Sequence, residues 1–274
     1  MFRIVAIRLI VALFTCLALP SAVFAQSVTV LLSPPPVVGA KTDENLSRNK
    51  IDFIYNTVEM GDFLKIDQYG LGYLHEWSGP KSAASFNLIG LLGSLEMDFG
   101  GTDSTGTTET IIAGGTYLLN VVNNDLDEGF GLAFFGSGQV MFMAAQYEME
   151  MPNFAGNETK DAKSRAYFLS GLFGLVAEIP AGFYIQFIPY AYGTGMLFGS
   201  VTAEVDGQSM SVSMSNLPWS YTLGTDIVFR FSKQIPDWKV SLGTLFQQFQ
   251  ALTEETEDYS NLMFLASLRK DFRL

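Results

Sequence analysis

The chain has 274 residues, 48% of them hydrophobic and 14% aromatic, and its 28 acidic residues against 16 Lys and Arg leave a net charge of −12. That balance excludes nucleic acid as a partner, because phosphate backbones are bound by clustered Lys and Arg. The one cysteine, Cys16, sits in the leading segment, which removes disulfides, thiolate metal sites and cysteine nucleophiles from the rest of the chain.

Arg3 and Arg8 precede an apolar run over 9–19, and Pro20, Ser21 and then Val23-Phe24-Ala25 follow it. A charged start, a short apolar core, Val at −3 and Ala at −1 predict a secretory signal peptide over 1–25, cleaved near Ala25. Cys16 is a poor lipoprotein cleavage point, because Phe14 and Thr15 stand where small residues belong. Cleavage removes two arginines and no acid, so the net charge moves from −12 to −14. No other apolar run is long enough for a membrane helix. An exported, apolar chain without a spanning helix predicts a β-barrel, since only helices and closed barrels satisfy their backbone groups in lipid.

Residues 26–49, with Pro34-Pro35-Pro36 followed by polar residues, read as a short irregular periplasmic tail or small plug. Residues 50–274 alternate with period two and break at turn signals. Ten strands are expected, at about 50–58, 63–77, 83–98, 107–122, 129–151, 165–179, 183–205, 208–232, 238–252 and 259–274. The count falls to eight if 50–77 pairs irregularly. The third strand changes phase near Leu91-Leu92, which suggests a bulge. PNFAGNETKDAKSR, between the fifth and sixth strands, is the longest connection, and Pro180-Ala181-Gly182 is a very short one. The eighth strand shows the alternation. Trp219, Tyr221, Leu223, Thr225, Ile227, Phe229 and Phe231 share one face, and Ser220, Thr222, Gly224, Asp226, Val228 and Arg230 share the other.

The connections form two alternating sets. One holds TEETED, the region around DGQ, PNFAGNETKDAKSR, GGTDSTG and the short EMGD; the other holds SKQIPD, PAG, NNDLDEG and SGPKS. Outer-membrane barrels have long external loops and short periplasmic turns, so this phase puts both chain ends in the periplasm. Aromatics gather at strand ends as two interfacial girdles. Trp77, Phe130, Phe231, Trp238 and Phe272 mark the inner rim, and Tyr167, Trp219, Tyr221 and Phe246 the outer. The last strand carries Leu262, Phe264, Ala266, Leu268, Phe272 and Leu274 on one face. It resembles the C-terminal insertion signal of small Gram-negative outer-membrane β-barrel proteins, although it ends in Leu274 instead of an aromatic and Lys270 interrupts it. The resemblance spans 50–274. It implies an all-β, antiparallel transmembrane barrel in contact with outer-membrane lipid and lipopolysaccharide, and leaves the oligomeric state open.

The inward phase brings Asp52, Glu76, Glu178, Asp226, Arg230, Lys239, Arg269, Asp271 and Arg273 to the periplasmic half of the lumen. Asp226, Arg230, Lys239 and Arg269 lie on three consecutive strands and are expected to meet. They are either a structural ion-pair network or a constriction that selects solutes. Higher up, Phe135, Met141, Met143, Phe168 and Leu172 make the lumen less polar. That layer is either a packed interior or an apolar conduit, for which adaptable Met side chains are suited. The outer loops are acidic, but no calcium-loop spacing occurs.

Ten strands invite comparison with omptins, a protease family that works with acidic residues and a histidine at the outer rim. His75, the one histidine, falls instead at the periplasmic end of the second strand, on the lipid-facing phase beside Trp77. No phosphate loop, zinc motif or nucleophile elbow is present. The expectation is therefore a small channel or conduit for small, apolar solutes, with no cofactor, metal or catalytic residue. Its rival is a closed barrel of structural or adhesive function acting through acidic external loops. An enzyme ranks third.

Overall fold

The computed structural model describes residues 37–43, 46–60, 64–98, 103–123, 129–153, 156–205, 208–214, 220–231, 237–249 and 260–273. The expected signal peptide, the Pro34-Pro35-Pro36 stretch, Trp219 and the TEETED connection lie outside them.

Eleven strands follow one another: β1 (Leu46–Met60), β2 (Leu64–Ser78), β3 (Ser82–Asp98), β4 (Asp103–Asn123), β5 (Gly131–Asn153), β6 (Gly156–Pro180), β7 (Ile185–Val205), β8 (Gln208–Met214), β9 (Ser220–Arg230), β10 (Trp238–Phe249) and β11 (Ser260–Arg273). All pairings are antiparallel, and β1 closes on β11. β8 and β9 share one edge of β7: β8 pairs from Gly199↔Met214 outward, and β9 pairs from Thr194↔Ser220 inward. They fill one position in the ring, so the barrel is a closed one of ten. The expected single strand over 208–232 thus comes in two pieces.

Alternation sets the two faces. On β1, Ile51 and Phe53 are exposed, while Asp52 and Ile54, which alternate with them, are buried. The outer wall is a belt of large apolar side chains from every strand that crosses it. From Tyr221 to Phe231 the chain advances ten residues, about 34 Å along a strand, or about 26 Å of barrel height at a tilt near 40°. That is the height of the apolar band a membrane barrel needs.

Three expectations change. The bulge near Leu91-Leu92 is absent: the registers of β3 with β2 and β4 run through unbroken, with Leu91 1% and Leu92 64% exposed. Both faces are apolar there, lumen on one side and lipid on the other, so hydrophobicity stops reporting phase. Register shifts occur instead at Asn120/Val122 and Leu169/Ser170. The long connection PNFAGNETKDAKSR is a strand hairpin, β5 running to Asn153 and β6 starting at Gly156. Its outward positions, such as Asp161 and Lys163, are polar while Ala162, Ser164 and Ala166 point inward. Above the bilayer a strand's outer face meets water, and the apolar half of the pattern is lost. Finally, β1 begins at Leu46, ahead of the expected start near residue 50.

Two tyrosines show how the inner wall is fitted. Tyr190 lies opposite Gly224, and Tyr192 opposite Gly174. A Cβ on Gly224 would sit 2.3 Å from the Tyr190 ring, and one on Gly174 2.4 Å from Tyr192 Cβ. Gly224 leaves room for the Tyr190 ring, and Gly174 for the close approach of Tyr192 Cβ and backbone. In the turn after β6, Gly182 takes a φ of 87°, which a side chain would oppose.

Candidate functional site

The strand ends nearest the two chain ends fill the lumen with charge. Arg230, Lys239, Arg269 and Lys50 stand directly side by side on β9, β10, β11 and β1. Like charges in such positions repel, and burying them adds a desolvation cost. Carboxylates from neighbouring rows offset both. Asp271 accepts from Lys239 Nζ at 2.6 Å and from Arg269 Nε at 2.7 Å. Lys50 Nζ reaches Asp52 at 3.1 Å and Asp226 at 3.3 Å. Arg48 pairs with Glu76 at 3.1 Å. Ser267 donates to Asp52 at 2.5 Å, Tyr190 donates to Asp226 at 3.3 Å, and the Arg230 guanidinium lies 5.0 Å from the Phe183 ring centroid. Among the described residues, six buried cations, counting Lys41, face five buried carboxylates.

A short strap, residues 37–42, crosses this layer and is itself buried. Arg269 donates to the Val38 carbonyl at 3.1 Å, and the Val38 and Lys41 N–H groups donate to Glu76 and Glu178, each at 3.4 Å. Asn120 donates to the Ala40 carbonyl. A Cβ on Gly39 would sit 2.7 Å from Glu178 Oε2, so the strap passes close against that carboxylate. Barrel charges thereby satisfy the backbone of a segment that has no strand partner, as buried N–H and C=O groups require.

The four residues expected to meet do so only in part. Arg230, Lys239 and Arg269 are neighbours, but the carboxylate that holds Lys239 and Arg269 is Asp271. Asp226 turns away to Lys50 and Tyr190. Its path is open because Gly243 lies opposite it, where a Cβ would come within 2.1 Å of its carboxylate. Lys41, Arg48 and Lys50 belong to the network, although the sequence reading left the first two in the tail. The signal was present: Arg48, Lys50 and Asp52 continue one inward phase. Arg273 contributes to β11, but its side chain is outside the described set.

Above the charges, Phe135, Met141, Met143, Phe168 and Leu172 all point inward and are buried, with Phe135 edge-on to Tyr192 at 5.9 Å. This apolar layer belongs to the β4–β7 side. The opposite side carries Asn56, Gln68, Gln247 and Asn261, so the upper lumen is not uniformly apolar. Gln68 donates to Thr108 and Thr110, each at 3.1 Å, and Gln247 to Ser220 at 2.7 Å.

On the outer wall, Trp77, Tyr221, Trp238 and Phe272 are all outward-facing. His75 stands at the end of the barrel that holds the chain ends, edge-on to Trp77 at 4.3 Å. Beyond the far girdle, β4, β5 and β6 continue with a polar outer face. Thr105, Thr107, Gln146, Glu148, Asp161 and Lys163 line a groove of about 510 Å³ there. Among the described residues, no group of three His, Cys, Asp or Glu is placed to hold a metal ion.

No family model and no curated protein sequence matches the chain. The fold does match solved structures. The outer membrane protease OmpT from Escherichia coli superposes with a TM-score of 0.57 at 8% identity, covering 88% of this chain and all of OmpT. Two others, Ail of Yersinia pestis (TM-score 0.34, 13% identity, 84% of this chain and 100% of that one) and the COG4313 outer membrane channel of Pseudomonas putida F1 (0.35, 10%, 88% and 100%), are too distant in shape to carry argument. The class is that of the outer-membrane β-barrel fold.

Proposed function

We propose that the chain is an exported outer-membrane barrel, its signal peptide cleaved near Ala25 and its termini in the periplasm, that is closed to solutes and acts through its far-end sheet as a structural or surface-interaction protein. The observation that carries this reading is the packing of the lumen. Inward side chains such as Phe135, Met143, Val176, Leu245 and Met263 are 0 or 1% exposed, whereas a water-filled pore wets its wall. One feature supports the orientation: away from the terminal end, β4 to β8 rise above the apolar band with polar outer faces. Proteolysis of the OmpT kind gains no support from His75, which stands at the opposite rim from the extended hairpins.

A conduit is the second reading, favoured by the strap. Residues 37–42 are held by side chains, not by a strand ladder, and their removal would bare Arg230, Lys239, Arg269 and Lys50 as a cationic constriction. Swelling of liposomes carrying the refolded barrel separates the two. The closed reading expects no swelling in isotonic sugar or amino-acid solutions; swelling by small solutes overturns it.

A further inference from the structure

The outer wall carries one polar notch inside the terminal-end girdle. Lys270 of β11 lies directly between Trp238 of β10 and Asn49 of β1, and Asn49 lies opposite His75 of β2. All of these face outward. The Lys270 ammonium is 5.0 Å from the Trp238 ring centroid and 4.8 Å from that of Phe272. Ring faces hold a cation but do not remove its charge. Asn49 Oδ1 accepts from Tyr73 at 3.0 Å and from His75 Nδ1 at 2.5 Å, which leaves the amide its two N–H donors. One step toward the rim, Ser47 is a small residue between Phe272 and Trp77, so the wall is recessed there. One step toward mid-membrane, the same column turns apolar with Ile51 and Phe53, the latter opposite the small Ala266.

From rim to mid-membrane this column runs polar, cationic, then apolar, the profile of one lipid molecule. At headgroup depth the anion that a leaflet supplies is a phosphate diester. We propose that Lys270, Asn49 and His75 form a binding notch for the phosphate of a phospholipid in the leaflet at the terminal end of the barrel. Lys270 supplies the charge and Asn49 an N–H donor, while His75 fixes Asn49 through Oδ1. The acyl chain follows Ile51 over Ala266. This explains why a lysine interrupts the lipid face of β11. The inference rests on the membrane reading above.

Trp77 and Trp238 flank the notch, so tryptophan fluorescence reads it. The refolded full chain in maltoside micelles is titrated with a short-chain phosphatidylglycerol, with sodium phosphate in parallel. The expected result is a saturable change that K270Q weakens about tenfold, the worth of one charge-assisted hydrogen bond. K270R restores it, and sodium phosphate leaves it unchanged. Identical titrations for the native chain and K270Q overturn the notch, as does full competition by sodium phosphate, which means an anion site without lipid recognition. Folding is read separately from heat-modifiable gel mobility. If K270Q does not fold, N49D takes its place, since a carboxylate facing the phosphate weakens binding in the same direction. Failure of the native barrel to insert into vesicles counts against the membrane reading; an inserted barrel with unchanged titrations counts against the notch alone.

Discussion

Asp271 holds two cations at once, Lys239 at 2.6 Å and Arg269 at 2.7 Å, with both partners buried. Asp271→Asn leaves two buried charges facing each other, a loss of about 3–5 kcal/mol. Urea unfolding of the refolded barrel, followed by gel mobility, should show the midpoint falling far more than for an exposed control such as Glu109→Gln. Gly224→Val is a second test. Its side chain would collide with Tyr190, whose ring a Cβ already approaches to 2.3 Å. The expected cost is about 1–3 kcal/mol from overpacking, and the companion change Tyr190→Ala should relieve part of it. At this scale the sequence was only half legible. Period two told which residues face inward, so every member of the expected charge cluster does point into the lumen. It could not tell which charges touch. The Asp226–Lys50 pair spans 176 residues and depends on the curvature of the closed sheet and on a missing side chain at Gly243.

For the strands, legibility depended on what lay outside each one. Where one face met lipid and the other met charge or small polar groups, as on β9, alternation was unmistakable. Where both faces were apolar, as at Leu91-Leu92, it faded into an apparent bulge. Where the outer face was polar and the inner one carried only small residues, Ala162, Ser164 and Ala166, as on β6 above the membrane, a strand read as a loop. The same logic makes the register testable. Ile227 faces outward near the middle of the Tyr221–Phe231 band and Thr107 faces water above it, so Ile227→Arg should cost about 2–4 kcal/mol of folded barrel and Thr107→Arg about 0–1. Comparable effects on urea midpoints in lipid vesicles would mean that the apolar band is misplaced. The hairpin of β5 and β6 carries the orientation. Thr159, exposed on β6 near its tip, replaced by Cys, should react with a membrane-impermeant thiol reagent on intact cells. A folded variant that labels only after lysis reverses the barrel.

As a whole molecule the barrel is built in layers: a charged, strapped terminal end, a packed middle with apolar and amide-bearing sides, and a projecting polar sheet. On the closed reading proposed above, the layers have one consequence in common, a lumen without a path for solute. The measurement that tests this most directly is planar-bilayer conductance of the refolded chain. It is made on the native sequence and on a variant with residues 37–42 replaced by glycine and serine. Heat-modifiable mobility shows that each is folded. The closed barrel predicts no steady conductance from either, because the middle layer blocks passage with or without the strap. Steady conductance from the native chain, or its appearance once the strap is replaced, would contradict that account and make the charged layer the gate of a conduit.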